Sequence, residues 1–233
     1  MGDMSINDSR REVCLPKAES SALAEFFGIL TGDGYINVYR KSDYVIEIAG
    51  NKLKDKEYLI GYVTNLSKEL FNAQPRYLEK AKQNSVYLRI RSKAIFYFIL
   101  NNGFKKGKKG RIRAPLWIRS KDIFMNRFVR GLFDTDGCIS LKNKRGKKYP
   151  VVSITSKSDL LLGDVKRYLD LKRISSYITR YMHKKRNYKH EVITYQLQVN
   201  GFKNMDNWFG LIGSSNVRNL NKYALASLHK TKV

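Results

Sequence analysis

Two segments of the chain close an apolar run with Asp-Gly. Phe27-Gly28-Ile29-Leu30-Thr31-Gly32-Asp33-Gly34-Tyr35-Ile36 aligns with Arg130-Gly131-Leu132-Phe133-Asp134-Thr135-Asp136-Gly137-Cys138-Ile139, sharing the first glycine, two apolar positions, the Asp-Gly and the final isoleucine. On a helix, Gly28 and Gly32 share one face, as do Gly131 and Thr135, and small residues at that spacing let two helix backbones approach closely. Helices packed along those faces bring Asp33 and Asp136 together at their C-terminal ends. Two carboxylates facing one point suit a hard divalent cation such as Mg²⁺, whose shell phosphate oxygens then complete. Exposed carbonyls at the helix ends favour a cation further. The chemistry such a centre supports is phosphodiester hydrolysis, with water activated and the leaving oxygen stabilised. A single copy would read as a plain helix stop, because Asp-Gly commonly turns the chain there. Two copies in matching places set the pattern apart. Asp134-Thr135-Asp136-Gly137 also resembles part of an EF-hand loop, but the closing glutamate is missing.

The elements that must position these acids repeat as well. Lys93 stands ten residues before Gly103, and Lys203 ten before Gly213, with Trp208-Phe209 where Phe98-Ile99 stood. The chain reads as a duplicated module. In the first half the pattern predicts a helix from Ser20 to Asp33 with a serine cap and stopped by Gly34, then strands over Tyr35 to Arg40 and Tyr44 to Ala49. A helix over Lys54 to Phe71 follows, then strands over Arg76 to Lys82 and Val86 to Arg91, and a short apolar helix from Lys93 to Leu100. The second half predicts a helix from Ser120 to Asp136 and strands over Ile139 to Lys142, Tyr149 to Thr155, Ser176 to Met182 and Val192 to Val199. Each half is therefore αββαββα, an α+β architecture. Residues 1–19 form an N-terminal extension, 20–100 the first half, 101–119 a basic linker with Pro115, and 120–233 the second half.

Composition narrows the partners. With 45 Lys+Arg against 20 Asp+Glu in 233 residues the formal net charge is +25, while 42% apolar residues supply a core. A folded monomer of this size exposes roughly 11,000 Å², about one net positive charge per ~430 Å², a surface that calls for a polyanion. The predicted partner is nucleic acid; a membrane partner is set aside because Lys and Arg are spread along the whole chain and mixed with Tyr. No apolar run spans a bilayer and the N-terminus lacks a secretory pattern, so a soluble intracellular protein is expected. Cys14 and Cys138, with three scattered histidines, leave no zinc site, so any catalytic metal must rest on carboxylates.

From Ser20 to Gly213 the paired motifs and the halves around them resemble a monomeric, two-motif LAGLIDADG homing endonuclease. The resemblance implies two pseudo-symmetric halves, each a four-stranded antiparallel, saddle-shaped sheet with helices on one face, the sheets lying in the DNA major groove. It implies that the motif helices form the interface through Gly28, Gly32, Gly131 and Thr135. Asp33 and Asp136, with the carbonyls of Gly32 and Thr135, would hold the metals: Mg²⁺, with Mn²⁺ an alternative and Ca²⁺ occupying the site without supporting cleavage. Thr31 departs from the motif where the second copy keeps Asp134, a position that is usually not a metal ligand. Lys93 and Lys203 take the family's place for a basic residue near the scissile phosphate, where charge stabilisation or water activation is needed. Asn51 and Lys157 resemble its solvent-ordering polar residues.

Strand alternation supplies the reading surface. Val86, Leu88 and Ile90 face inward, turning Tyr87, Arg89 and Arg91 outward, and Lys80 and Lys82 share a face. Tyr195, Leu197 and Val199 face inward, so Thr194, Gln196 and Gln198 face out. Arginine suits guanine and glutamine suits adenine. Lys142 to Lys148 and His183 to Lys189 read as hairpin loops on phosphates. Two halves with strands of about ten residues at ~3.4 Å each span a site of roughly twenty base pairs. The leading reading is a site-specific double-strand DNA endonuclease acting as a monomer without a protein partner. The alternative is a non-cleaving binder on the same scaffold, an RNA maturase or a transcription factor; a ribosomal protein is disfavoured by the duplication and the two acids.

Overall fold

The computed structural model describes residues 4–80, 83–107, 110–183 and 191–230. Lys82, Lys108, Lys109 and nearly all of the loop from His183 to Lys189 lie outside the described residues. The first half runs α2 (Ser21–Asp33), β1 (Gly34–Tyr39), β2 (Asp43–Asn51), a π-helical stretch (Tyr58–Val63) leading into α3 (Thr64–Phe71), β3 (Arg76–Glu79), β4 (Ser85–Arg91) and α4 (Lys93–Asn101). A short α1 (Ile6–Arg10) precedes it and α5 (Leu116–Arg119) ends the linker. The second half repeats the order as α6 (Asp122–Asp136), β5 (Gly137–Lys144), β6 (Lys147–Ser156), α7 (Asp159–Leu171), β7 (Tyr177–His183), β8 (Val192–Asn200) and α8 (Phe202–Leu211), with α9 (Val217–Ser227) added. The expected α+β architecture of two αββαββα halves is the one observed. Both sheets are antiparallel and four-stranded, ordered β1-β2-β4-β3 and β5-β6-β8-β7.

Local chemistry accounts for most boundaries. Ser20, Ser92 and Ser158 accept backbone N–H bonds from Leu23, Ile95 and Leu161, capping α2, α4 and α7. The second motif helix starts at Asp122 instead of Ser120: Lys121 is its N-cap, and the Ser120 hydroxyl donates back to the Trp117 carbonyl. Gly34 and Gly137 are extended, with φ of −82° and −93°, so neither is a left-handed stop. What demands glycine is space: a Cβ would fall 2.5 Å from the Leu30 carbonyl oxygen at Gly34 and 2.3 Å from that of Phe133 at Gly137. The chain thus leaves each motif helix directly into a sheet's edge strand. The expected helix over Lys54 to Phe71 contains a wide turn, which stacks Tyr58 on Tyr62 at 5.7 Å.

Inward residues of both sheets and buried faces of the helices form one continuous core, in which Phe26, Phe27, Phe128, Phe133 and Trp208 are the largest fully buried side chains of the two motif helices and α8. The N-terminal extension is tied to the first half. Asp8 is buried and accepts the Ala94 N–H at the start of α4, and Arg11 donates to the Arg91 carbonyl.

Candidate active site and nucleic-acid interface

The close approach of α2 and α6 depends on absent side chains. A Cβ on Gly28 would stand 2.1 Å from the Phe128 carbonyl oxygen, and one on Gly131 2.3 Å from that of Glu25. Gly32 lies against Thr135, where a Cβ would meet the threonine hydroxyl at 1.9 Å and the Asp136 Oδ2 at 3.5 Å. The last turns of the two helices therefore lie side by side, and Asp33 and Asp136 are their final residues, both half-buried. At this joint end a cleft of about 790 Å³ is lined by Gly32, Asp136, Thr155, Lys157 and Thr194, with Gly107, Gly110 and Ile112 of the linker along one side. Among the described residues no three His, Cys, Asp or Glu side chains gather. The donor set on offer is two carboxylates with neighbouring helix-end carbonyls. All are hard oxygen donors, which fits a Mg²⁺-like ion that keeps waters and phosphate oxygens in its shell.

Of the residues expected beside these acids Lys157 lines the cleft, joined by Thr194 of the expected reading face, whereas Lys93 and Lys203 do not line it. Lys93 opens α4 just beyond β4 and lines a separate groove with Arg11, Ser42, Asp43 and Tyr44; Lys203 lies in the first turn of α8. The far end of α8 packs on the second motif helix, where Trp208 and Phe209 meet the Phe133 ring, and the nine residues of α4 span ~14 Å. Gly103 and Gly213 close the two helices at φ of +97° and +70°, a left-handed turn that glycine accepts. Immediately beyond them, Phe104 and Lys105 border a small cavity with Thr31, while Ser214 and Ser215 hydrogen-bond Asp134. Asn51 turns its side-chain oxygen to the N–H groups of Leu53 and Lys54, at 3.0 and 3.1 Å, capping the turn that follows β2.

The model of a LAGLIDADG-like domain matches residues 124–205, from the second motif helix through β8 and into α8. Single-chain, two-domain structures match over nearly their whole length. The homing endonuclease I-DmoI in complex with DNA and Mn is 21% identical, covering 84% of this chain and 97% of its own, with a TM-score of 0.54. The LAGLIDADG meganuclease I-AabMI bound to uncleaved DNA is 14% identical over 89% of this chain and 92% of its own, TM-score 0.51. The chain carries a LAGLIDADG-like domain over residues 124–205 and shares the fold of these two-domain structures. At these identities the structural likeness is one of fold. In sequence, an uncharacterized protein of Methanocaldococcus jannaschii is 28% identical over 141 residues, 59% of this chain, and the alignment spans about half of that relative's length. No helix among the described residues is long and apolar enough to cross a membrane.

Behind the motif ends the chain buries an acidic network that its sequence did not advertise. Asp134 is 1% exposed and takes bonds from the Ser214 hydroxyl and, at 2.8 Å, the Ser215 N–H. Glu25 is also buried and receives Tyr62, Ser215 and Arg130. Burial pushes the Asp134 carboxyl up to about 7, the charge of Glu25 adding to the rise and the serine bonds opposing it. Burial likewise raises Glu25, against the pull of Arg130. Asn216 Nδ2 bridges Asp55 Oδ1 at 3.1 Å and the Asp134 carbonyl at 3.0 Å, and Arg218 spans the same two groups. The segment from Ser214 to Arg218 thus straps the first half to the residue two before Asp136. In the first copy Thr31 instead donates to the Phe27 carbonyl of its own helix.

The outer faces differ between the two sheets. Arg89 lies opposite Glu47 and binds it through Nε at 2.7 Å, Arg91 binds Asp43 at 3.0 Å, and Lys80 lies over the Tyr87 ring at 4.8 Å. In the second sheet Gln198, only 2% exposed, accepts from Lys142 and Tyr177, and its amide donates to Gln196 at 2.9 Å. Both edge hairpins place cations at left-handed positions: Arg40 and Lys41 at φ of 47° and 64°, Arg145 at 53°.

Proposed function

We propose that this chain is a site-specific DNA endonuclease that hydrolyses both strands of a long, near-twofold duplex site with divalent metal ions. The single observation that carries this reading is the pairing of α2 and α6 through Gly28 and Gly131, which sets Asp33 and Asp136 at one joint end beside an open cleft that Lys157 lines. Bound there by the two carboxylates and the Gly32 and Thr135 carbonyls, a Mg²⁺-like ion supplies activation of water and charge neutralisation at the leaving oxygen. The chain's own residues do the rest. Water adds its oxygen to phosphorus, the ester bond to the leaving sugar oxygen breaks, and that oxygen takes up a proton. Lys157 at the cleft and Lys105 beyond Gly103 supply the positive charge near the phosphate. Lys93, with Arg11 in its own groove, serves a flanking phosphate.

The residues 20–100 and 120–233 act as the two half-site readers, joined by 101–119, and one chain suffices for the whole site. The matched solved structures include homing endonucleases in complexes with DNA, which supports DNA as the partner. The test is cleavage selection from a randomised duplex library with Mg²⁺, repeated with Asp33→Asn and Asp136→Asn. Either substitution is expected to abolish double-strand cleavage and to leave DNA binding intact or tighter, since a negative charge near phosphate is removed. Full cleavage by either variant overturns the assignment. Binding by the unaltered chain without any cleavage would leave the non-cleaving scaffold.

A further inference from the structure

The two sheets present different chemistry to the groove, and strand register states the difference residue by residue. On the first sheet, Arg76 stands opposite Arg89, which stands opposite Glu47, so two arginines and a carboxylate run in one row across three strands. Arg91 and Asp43 form a second such pair. Glu47 engages Arg89 on its Nε/NH2 edge, at 2.7 and 2.5 Å. A guanidinium held this way has lost its rotamer freedom before binding, and its NH1/NH2 edge matches guanine O6 and N7. The carboxylate beside it is the acceptor that cytosine N4 requires. One Arg–Glu pair therefore complements both bases of a G·C pair.

On the second sheet the corresponding rows run Thr179, Gln196, Thr155 and Tyr177, Gln198, Ser153. Among the described residues of that outer face there is no arginine, aspartate or glutamate. Gln198 Nε2 donates to Gln196 Oε1, and Gln196 Nε2 leans toward Thr155 Oγ1 at 3.4 Å, so the amides form an ordered chain. A glutamine amide matches adenine N6 and N7, and a threonine methyl packs on the thymine methyl.

We propose that the target duplex, near-twofold in the placement of its two half-sites, is asymmetric in base composition, with G·C pairs selected under the first sheet and A·T pairs under the second. This rests on the DNA-reading function proposed above. The experiment is binding selection by the full chain on a randomised duplex library, repeated with Arg89→Gln, Arg89→Lys and Gln196→Ala, with melting curves for each variant. The expected sites carry a G·C excess in one half and an A·T excess in the other. Arg89→Gln lowers the guanine preference at one position of the G·C half by about tenfold, Arg89→Lys retains part of it, and Gln196→Ala relaxes the A·T half alone. Enriched sites of even composition, or an Arg89→Gln effect in the A·T half, overturn the inference while leaving DNA reading in place. Absence of any enriched duplex removes the DNA-reading function itself and this inference with it.

Discussion

Asp134 and Asp136 are two residues apart and live in different electrostatic worlds. Asp136 borders an open cleft, whereas Asp134 is enclosed, and burial lifts its carboxyl to about 7. A carboxyl whose folded value exceeds its unfolded value of 3.8 binds more protons in the native state. Its stabilising contribution is complete below about pH 4, declines as pH rises, and is gone above about 7. Asn in its place keeps an acceptor for the Ser215 N–H and a donor for the Ser214 hydroxyl without the charge. Asp134→Asn should therefore gain stability relative to the unaltered chain as pH rises from 4 to 8, by on the order of 3 kcal/mol. Denaturant melts across that range read the slope directly; parallel curves for the two proteins would refute it. The two motif aspartates were legible in sequence because helix periodicity and a following glycine are local properties. The rise at Asp134 was not, because its causes are burial and the charge of Glu25 on the other motif helix, both set by packing between distant parts of the chain.

Elements carry their own tests. The α2–α6 contact leaves no room for even a methyl group at Gly28, since its Cβ would meet backbone instead of a flexible side chain. Gly28→Ala is expected to destabilise by ~1 to 3 kcal/mol and Gly28→Leu by more, with loss of cleavage, because the helix ends that carry Asp33 and Asp136 separate. Unchanged melting and cleavage would mean the helices do not meet there. The β1–β2 turn shows an opposite balance. Lys41 holds a left-handed backbone that glycine would adopt without strain, so Lys41→Gly should raise stability by ~1 kcal/mol while weakening DNA binding. A variant that binds DNA as tightly as before would show that this hairpin tip does not reach phosphate. The succession of strands along the chain was readable from alternation, whereas the wide turn over Tyr58–Val63 left no signature in an otherwise regular helical spacing.

At the scale of the molecule, charge and the C-terminal strap decide behaviour. A net +25 predicts DNA affinity that falls steeply with salt, each phosphate contact contributing about 0.9 to the slope of log K against log salt. Lys105→Ala should reduce that slope by about one and weaken binding evenly across sequences, as titrations at several salt concentrations would show. A loss confined to one base position would place Lys105 on a base instead. Asn216 ties Asp55 of the first half to the second motif helix. Asn216→Ala leaves a buried carboxylate and carbonyl short of a donor, and the melting temperature should drop by several degrees.

By itself the sequence determined the duplication, the two glycine-faced helices, the acids at their ends, the alternating strands and the need for a polyanionic partner. Each of these follows from composition or from spacings of two to four residues along one element. Tertiary structure alone decided that Lys157 lines the cleft beside Asp136 while Lys93 lines a groove of its own, because only packing says which residues of distant elements share a cavity. It also decided that Arg89 and Arg91 come already held by Glu47 and Asp43, and that Ser214 to Arg218 closes over Asp134. Those partners sit more than 40 residues apart in the chain, and the energy of such a contact depends on register and burial that no local pattern encodes.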